Sequence, residues 1–131
     1  MPGANAGTQA FGINPKGDIM GTYYVSVPNN VLIRGFLLSK GSFTTIDVVA
    51  LPGALAGTTN ALGINPRGDI VGFYSDRFFN GHGFLLSKGS FTEIVVPAAS
   101  NTLPSGINPK GDIVGYYIDG SGGHGFLLSK K

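Results

Sequence analysis

Apolar positions in this chain come in short bursts cut by turn residues, and the bursts recur. Asp69-Ile70-Val71-Gly72-Phe73-Tyr74 and Phe84-Leu85-Leu86 are near-continuous apolar runs, the pattern of strands buried on both faces. Around Ile46 the chain alternates instead, with Ile46 and Val48 on one face and Thr45 and Asp47 on the other, as a half-buried strand does. Between the bursts lies one stretch written three times. It reads Gly12-Ile13-Asn14-Pro15-Lys16-Gly17-Asp18-Ile19-Met20-Gly21, and it returns at Gly63–Gly72 and Gly106–Gly115. A second stretch, Gly-Phe-Leu-Leu-Ser-Lys, follows each copy at 35–40, 83–88 and 125–130. Self-similarity of this kind marks a repeat architecture.

Turn chemistry divides each repeat into four short strands. Strand A ends at Gly-Ile (8–13, 59–64, 102–107). Asn-Pro-Lys/Arg-Gly then turns the chain: proline pre-sets the first central position, Asn can bond its own backbone, and Gly takes the positive φ. Strand B follows (18–24, 69–75, 112–118), and a connection of variable length leads to strand C (35–39, 83–87, 125–129). Ser-Lys-Gly-Ser turns into strand D, which begins at Phe43 and Phe91. The small residues of strand A, among them Ala10, Ala61 and Ser105, suit a crowded inner position. The expected fold is therefore all-β, a single repeat domain over 1–131 with units at about 8–49, 59–97 and 102–131. Doubly buried four-stranded units at this period predict β-propeller blades. A β-trefoil is the alternative.

Composition narrows the picture. Gly accounts for 22 of 131 residues, there is no cysteine, and the formal net charge is +2. Disulfides are excluded as the source of stability, and so small a charge does not argue for a nucleic-acid partner. No run approaches the length of a membrane span, and Met1–Ala10 shows no signal-peptide pattern. Seven basic residues (Lys16, Lys40, Arg67, Lys88, Lys110, Lys130, Lys131) fall at the A–B and C–D turns, leaving that end net +4 against Asp18, Asp69 and Asp112. This suits solubility, or an anionic surface polymer.

The start and end of the chain bear on assembly. Met1–Ala4 aligns with Leu51–Ala54, in a D-to-A connection, and the third copy has no strand D after Lys131. Three blades fall short of the roughly four to eight of a closed ring. The expectation is a homo-oligomer, most simply two chains giving six blades; the other reading is part of a longer propeller.

The repeat motif, Gly-Ile-Asn-x-x-Gly-Asp-Ile-Val-Gly followed by His-Gly-Phe-Leu-Leu, resembles the HAF-type bacterial extracellular repeats. The family's His-Ala-Phe stands here as His82-Gly83-Phe84 and His124-Gly125-Phe126, and the first copy has Arg34-Gly35-Phe36. The resemblance covers nearly the whole chain. It implies propeller-like repeats and an extracellular or cell-surface location, and it brings no settled activity.

Length differences between repeats fall in the B–C and D–A connections, all at one end of the strands. Variable loops on a rigid scaffold are where binding usually resides. The candidate surface is Ser26–Ile33, Asp76–Gly81 and Asp119–Gly123, with Ala50–Gly57 and Pro97–Asn101. Its sharpest feature is an Asp–His pair, Asp76 with His82 and Asp119 with His124, replaced in the first copy by Val25 and Arg34. One reading is a structural clasp across the loop mouth. The other makes the pair an acid–base or metal-holding group of a lactonase- or esterase-like hydrolase. No Gly-x-Ser-x-Gly, phosphate loop or His-Glu-x-x-His accompanies it. Arg34, Arg77, His82, His124, Tyr74 and Tyr117 are the candidate ligand-binding residues, the aromatic rings suited to a glycan or small ligand. Asn14, Asn65 and Asn108 could offer oxygens to calcium, though turn formation before proline is the plainer role. No other cofactor is expected.

Overall fold

A computed structural model describes residues 5–130 of the chain. It is all-β. The strands are β1 (Gly7–Ile13), β2 (Ile19–Val27), β3 (Asn30–Ser39), β4 (Ser42–Ile46), β5 (Asn60–Ile64), β6 (Ile70–Ser75), β7 (Gly81–Ser87), β8 (Ser90–Ile94), β9 (Asn101–Ile107), β10 (Ile113–Asp119) and β11 (Gly122–Leu128). They form three antiparallel meander sheets, β1–β4, β5–β8 and β9–β11, with no closed barrel. Each sheet is one sequence repeat. No helix is long and apolar enough to cross a membrane among the described residues. The alignment of Met1–Ala4 with a D-to-A connection falls outside those residues.

The repeated glycine of strand B has a local cause. In each sheet the first strand carries a bulge, with the register shifting between Ala10 and Gly12 and between Ala61 and Gly63, and at the same point against β10. The bulge pushes backbone toward strand B. A Cβ on Gly21, Gly72 or Gly115 would run into the carbonyl oxygen of Gln9, Asn60 or Leu103, so no side chain fits. The Asn-Pro-x-Gly turns close as their residues predict, with Gly17, Gly68 and Gly111 at φ of 82°, 86° and 99°.

The three sheets stack face to face. β5 packs across β1, β2 and β3, and β9 packs across β5, β6 and β7. Between the first two sheets lies a core of Met20, Ile46, Val48, Ala61, Ile70, Tyr74 and Phe84, joined by Leu37 and Ile64. Between the second and third lie Val71, Ile94 and Ile113, joined by Leu85, Ile107 and Phe126. Equivalent positions thus do the same work twice: Met20 and Val71 face the following sheet, Ile70 and Ile113 the preceding one.

Three expectations need correction. The apolar runs of strands B and C are enclosed on both faces only in the central sheet; Val114, Tyr116, Leu127 and Leu128 are exposed, because nothing described covers the far face of β9–β11. The small-residue strand A is crowded in β5 but exposed along most of β1, for the same reason at the other end. The variable segment Ser26–Ile33 is mostly strand, not loop. Tyr24, Val25, Val27, Val31 and Ile33 are aromatic or β-branched, so β2 and β3 run on to a two-residue turn at Pro28-Asn29, where Asn29 has φ 65°. Asp119–Gly123 likewise shrinks to a turn at Gly120-Ser121. Asp76–Asn80 stays an irregular connection.

Candidate functional site

The Asp–His pair of the central sheet sits where β6 ends and β7 begins. Tyr74 and His82 are directly opposite in register, which stacks their rings at 5.2 Å and 14°. Asp76 caps its own connection, its Oδ1 accepting the amides of Phe78 and Asn80. That leaves Oδ2 aimed at His82 Nε2, 2.8 Å away. The other ring nitrogen, Nδ1, lies 3.0 Å from Oε2 of Glu93 on β8. The Tyr74 hydroxyl donates to the Pro52 carbonyl at 3.2 Å and lies 3.4 Å from Glu93 Oε2. Four side chains thus form one hydrogen-bonded group, and Tyr74 ties it to the connection containing Pro52.

The charges follow from these contacts. Partial burial works against the imidazolium of His82, but hydrogen bonds to Asp76 and Glu93 and their charges outweigh it, and its pKa is raised. The His82 hydrogen bond holds Asp76 below the usual carboxylate range. Burial, then the nearby Glu93 carboxylate, push the Tyr74 hydroxyl above its ordinary range. The result is an imidazole between two carboxylates with both ring nitrogens engaged. In this arrangement neither nitrogen is turned toward an open site.

The third sheet repeats only half of this. His124 Nε2 lies 3.1 Å from Asp119 Oδ1 and 2.9 Å from Ser121 Oγ, and its ring lies over Tyr117 at 5.1 Å. With no described strand outside β11, the position of Glu93 has no counterpart. Ser121 and Asp119 meet the same ring nitrogen, so the three do not form the relay of a Ser-His-Asp triad. Asp119 is held low first by the Ser121 amide and then by its hydroxyl. In the first sheet Arg34 takes the histidine position and pairs with Asp47, Nε to Oδ2 at 3.3 Å; Tyr23 bonds Thr45 at 3.0 Å where Tyr74 meets Glu93.

The remaining candidates are dispersed. Arg77 lies over the exposed ring of Phe78, 5.8 Å from its centroid. A cavity of about 450 Å3 opens at the variable end between the first two sheets, lined by Val31, Leu55, Thr58, Asn60 and Phe79 among others. None of the six predicted ligand-binding residues lines it. At the opposite end Asn14, Asn65 and Asn108 turn their Oδ1 atoms onto the amides of Asp18, Asp69 and Asp112 at 3.0, 3.0 and 2.8 Å. Their Nδ2 atoms donate to the same three carboxylates. Among the described residues no group of His, Asp or Glu gathers to hold a metal.

Sequence reasoning missed Glu93, Asp47 and Thr45, the strand D partners. A signal was present: Thr45 becomes Glu93 between the first two copies just as Val25 becomes Asp76 and Arg34 becomes His82. It also missed the sideways reach of the turn residues. Asn14 Nδ2 donates across the stack to the Asn65 carbonyl at 3.1 Å, and Asn65 Nδ2 to the Asn108 carbonyl at 3.2 Å. Arg67, counted above as a surface charge, bonds Asp69 at 3.2 Å and the Pro109 carbonyl at 2.5 Å.

Comparison of the chain with protein-family models, curated proteins and solved structures finds no match.

Proposed function

We propose that this chain is a non-catalytic, self-assembling scaffold of β-propeller type. Its sheets act as blades, its end sheets stack on those of a second copy, and two copies give a six-bladed ring. The ring's variable end presents the cavity beside Leu55 and Phe79 to a small or glycan-like ligand. The observation that carries this is the asparagine ladder. Each turn asparagine donates to the carbonyl of the next, Asn14 to Asn65 and Asn65 to Asn108, and Asn108 stands exposed with Nδ2 bonded only to Asp112. The series has a donor left at one end and the Asn14 carbonyl at the other.

The apolar faces fit the same scheme. Val114 and Leu127, 47% and 64% exposed, correspond to Val71 and Leu85, which pack against the following sheet. Ile13, 67% exposed, corresponds to Ile64 and Ile107, which pack against the preceding one. Each open face is thus written for the other, and contiguous apolar surface of this kind marks an interface. Such a heterologous contact closes into a ring when its rotation allows. The likeness to HAF-type repeats supports a surface or extracellular setting. The engagement of both His82 nitrogens favours a scaffold over a hydrolase.

Light scattering coupled to size exclusion tests the assembly. Two chain masses are expected at about 10 μM protein, and one for Val114→Asp with unchanged circular dichroism. A wild-type chain that stays monomeric at that concentration sinks the ring.

A further inference from the structure

We propose that the cavity between the first two sheets binds an uncharged aromatic ring carrying one hydrogen-bonding group; this rests on reading the cavity as a ligand site and not on the ring of blades. A turn at the rim points there. Asp76–Asn80 repeats the Asn-Pro-x-Gly turn bond for bond. The Asp76 amide donates to the Asn80 carbonyl and the Phe79 amide to the Asp76 carbonyl, as Asn14 does to Asp18 and Gly17 to Asn14. The Asp76 Oδ1 atom accepts the amides two and four residues on, as Asn14 Oδ1 does. The fourth position is left-handed in every copy, and it is glycine at Gly17, Gly68 and Gly111. In the copy at the cavity it is Phe79, with φ 63°. Such backbone is unfavourable for a bulky side chain. Phe79 gains little packing in return, being 83% exposed, and it is the one large apolar residue held so among the described residues. Strain kept at a cavity rim is a pointer to function.

The cavity itself is made by departures from the repeat. The connection into β5 runs from Ile46 to Asn60, and that into β9 only from Ile94 to Asn101. The longer one supplies Leu55 as a wall, and Val31 and Ile33 of β3 line the same space. Asn60 stands opposite Phe73 where Leu103 stands opposite Tyr116. Leu103 fills its own junction, so close under Gly81 that a Cβ there would meet it at 2.6 Å. Asn60 instead lines the cavity, half-buried, with neither side-chain amide atom bonded to a described residue. Among the described residues no charged side chain lines it. Its volume, about 450 Å3, is that of an ordinary small-ligand site. Aliphatic walls would strip the hydroxyls of a sugar of water without replacing their hydrogen bonds. They suit a flat apolar ring that stacks on Phe79 and gives its one polar group to Asn60.

Titration of p-cresol into the isotope-labelled protein, followed by amide chemical shifts, tests this. Saturable shifts are expected at Leu55, Thr58, Asn60 and Phe79 with a Kd of about 1 mM or tighter, and cellobiose should leave those amides unmoved up to about 10 mM. Phe79→Gly should weaken p-cresol about tenfold. Its urea midpoint should match or exceed that of the wild type, since glycine relieves the left-handed backbone; a packing role for Phe79 would lower it. Toluene lacks the hydroxyl of p-cresol, and the ratio of its Kd to that of p-cresol should fall about fivefold in Asn60→Ala. No saturable shift up to about 10 mM p-cresol, shifts confined to other residues, a lowered urea midpoint in Phe79→Gly, or an unchanged ratio in Asn60→Ala would overturn the proposal. Cellobiose moving the cavity amides where p-cresol does not would overturn the aromatic class and leave the cavity standing as a ligand site. Silence from both would remove the two together, whatever the oligomeric state.

Discussion

The central and third sheets carry nearly the same sequence and live in different surroundings. Among the described residues β5–β8 has a sheet on each face and its own outer strand, whereas β9–β11 has a sheet on one face and no outer strand. Val71 is fully buried and Val114 half exposed. His82 is locked between two carboxylates and His124 is tied on one side only. The residues do not follow the difference: Leu127, Leu128 and Val114 are apolar although no described sheet covers them. Burial in this chain is a property of the stack, and each repeat is written as though it had neighbours on both sides. That is how repeat proteins generally hold together, through a repeat's own structure plus its contacts with adjacent repeats.

The widest separation between the two sheets is expected in their aromatic centres. Phe84 is fully buried in the core between the first two sheets, and Phe84→Ala should cost about 3–5 kcal/mol by urea unfolding. No described strand lies outside Phe126, which is only partly buried, so Phe126→Ala should cost about half of that or less. Equal losses would mean that the third sheet is packed as tightly as the second, and would break the comparison. Next come the turn asparagines. Asn65, 1% exposed, serves two amides, a carboxylate and the Asn108 carbonyl. Asn65→Ala strands several buried groups and should cost about 2–3 kcal/mol. Asn108 makes the same turn in water without a next carbonyl, so Asn108→Ala should cost less than about 1 kcal/mol in the monomeric Val114→Asp chain. A double mutant with Asn14→Ala would sharpen the result: the Asn14 side chain bonds the backbone carbonyl of Asn65, which alanine keeps, so the two losses should be close to additive unless the Asn65 turn itself shifts.

Much of this was legible in the residues because local chemistry fixed it. Asn-Pro-x-Gly and Ser-Lys-Gly-Ser can do little but turn, and the apolar bursts between them became the strands, four to a sheet in the first two repeats. Three things were hidden. Pro28-Asn29 looked like part of a loop because a two-residue turn between long strands needs only two punctuating residues, and Ser26 and Asn30 beside them read as more of the same. The exposure of Val114 and Ile13 could not be read from their own segments, since the same residue types at Val71 and Ile64 are covered; the deciding fact is whether a described sheet lies against them. The partners of the site came from strand D and from the adjacent repeat. Glu93 is 11 residues from His82, and Asn65 is 51 from Asn14. Spacing along one element carries no sign of contacts made across sheets.

The smallest effect is also the one that separates the two histidines most directly. His82 has its pKa raised by Asp76 and Glu93, so protonation favours the folded state. Its contribution is fully present below the ordinary histidine pKa of about 6.5 and is lost as pH rises through the higher folded value. Asp76 is depressed by the same hydrogen bond, so its contribution is present above the ordinary carboxylate range and fades as pH falls through its lower folded value. Between those limits the clasp is whole. Urea midpoints measured from acid to mildly alkaline pH should therefore show a plateau with a fall on each side. In His82→Gln the alkaline fall should vanish, because no cation remains to discharge, and the plateau should sit about 1–2 kcal/mol lower. His124→Gln loses a single carboxylate contact on an exposed edge, and should lower the plateau by less than about 1 kcal/mol. If His124→Gln lowered the plateau more than His82→Gln did, the clasp would belong to the third sheet, and the contrast drawn between the two sheets would have to be reversed.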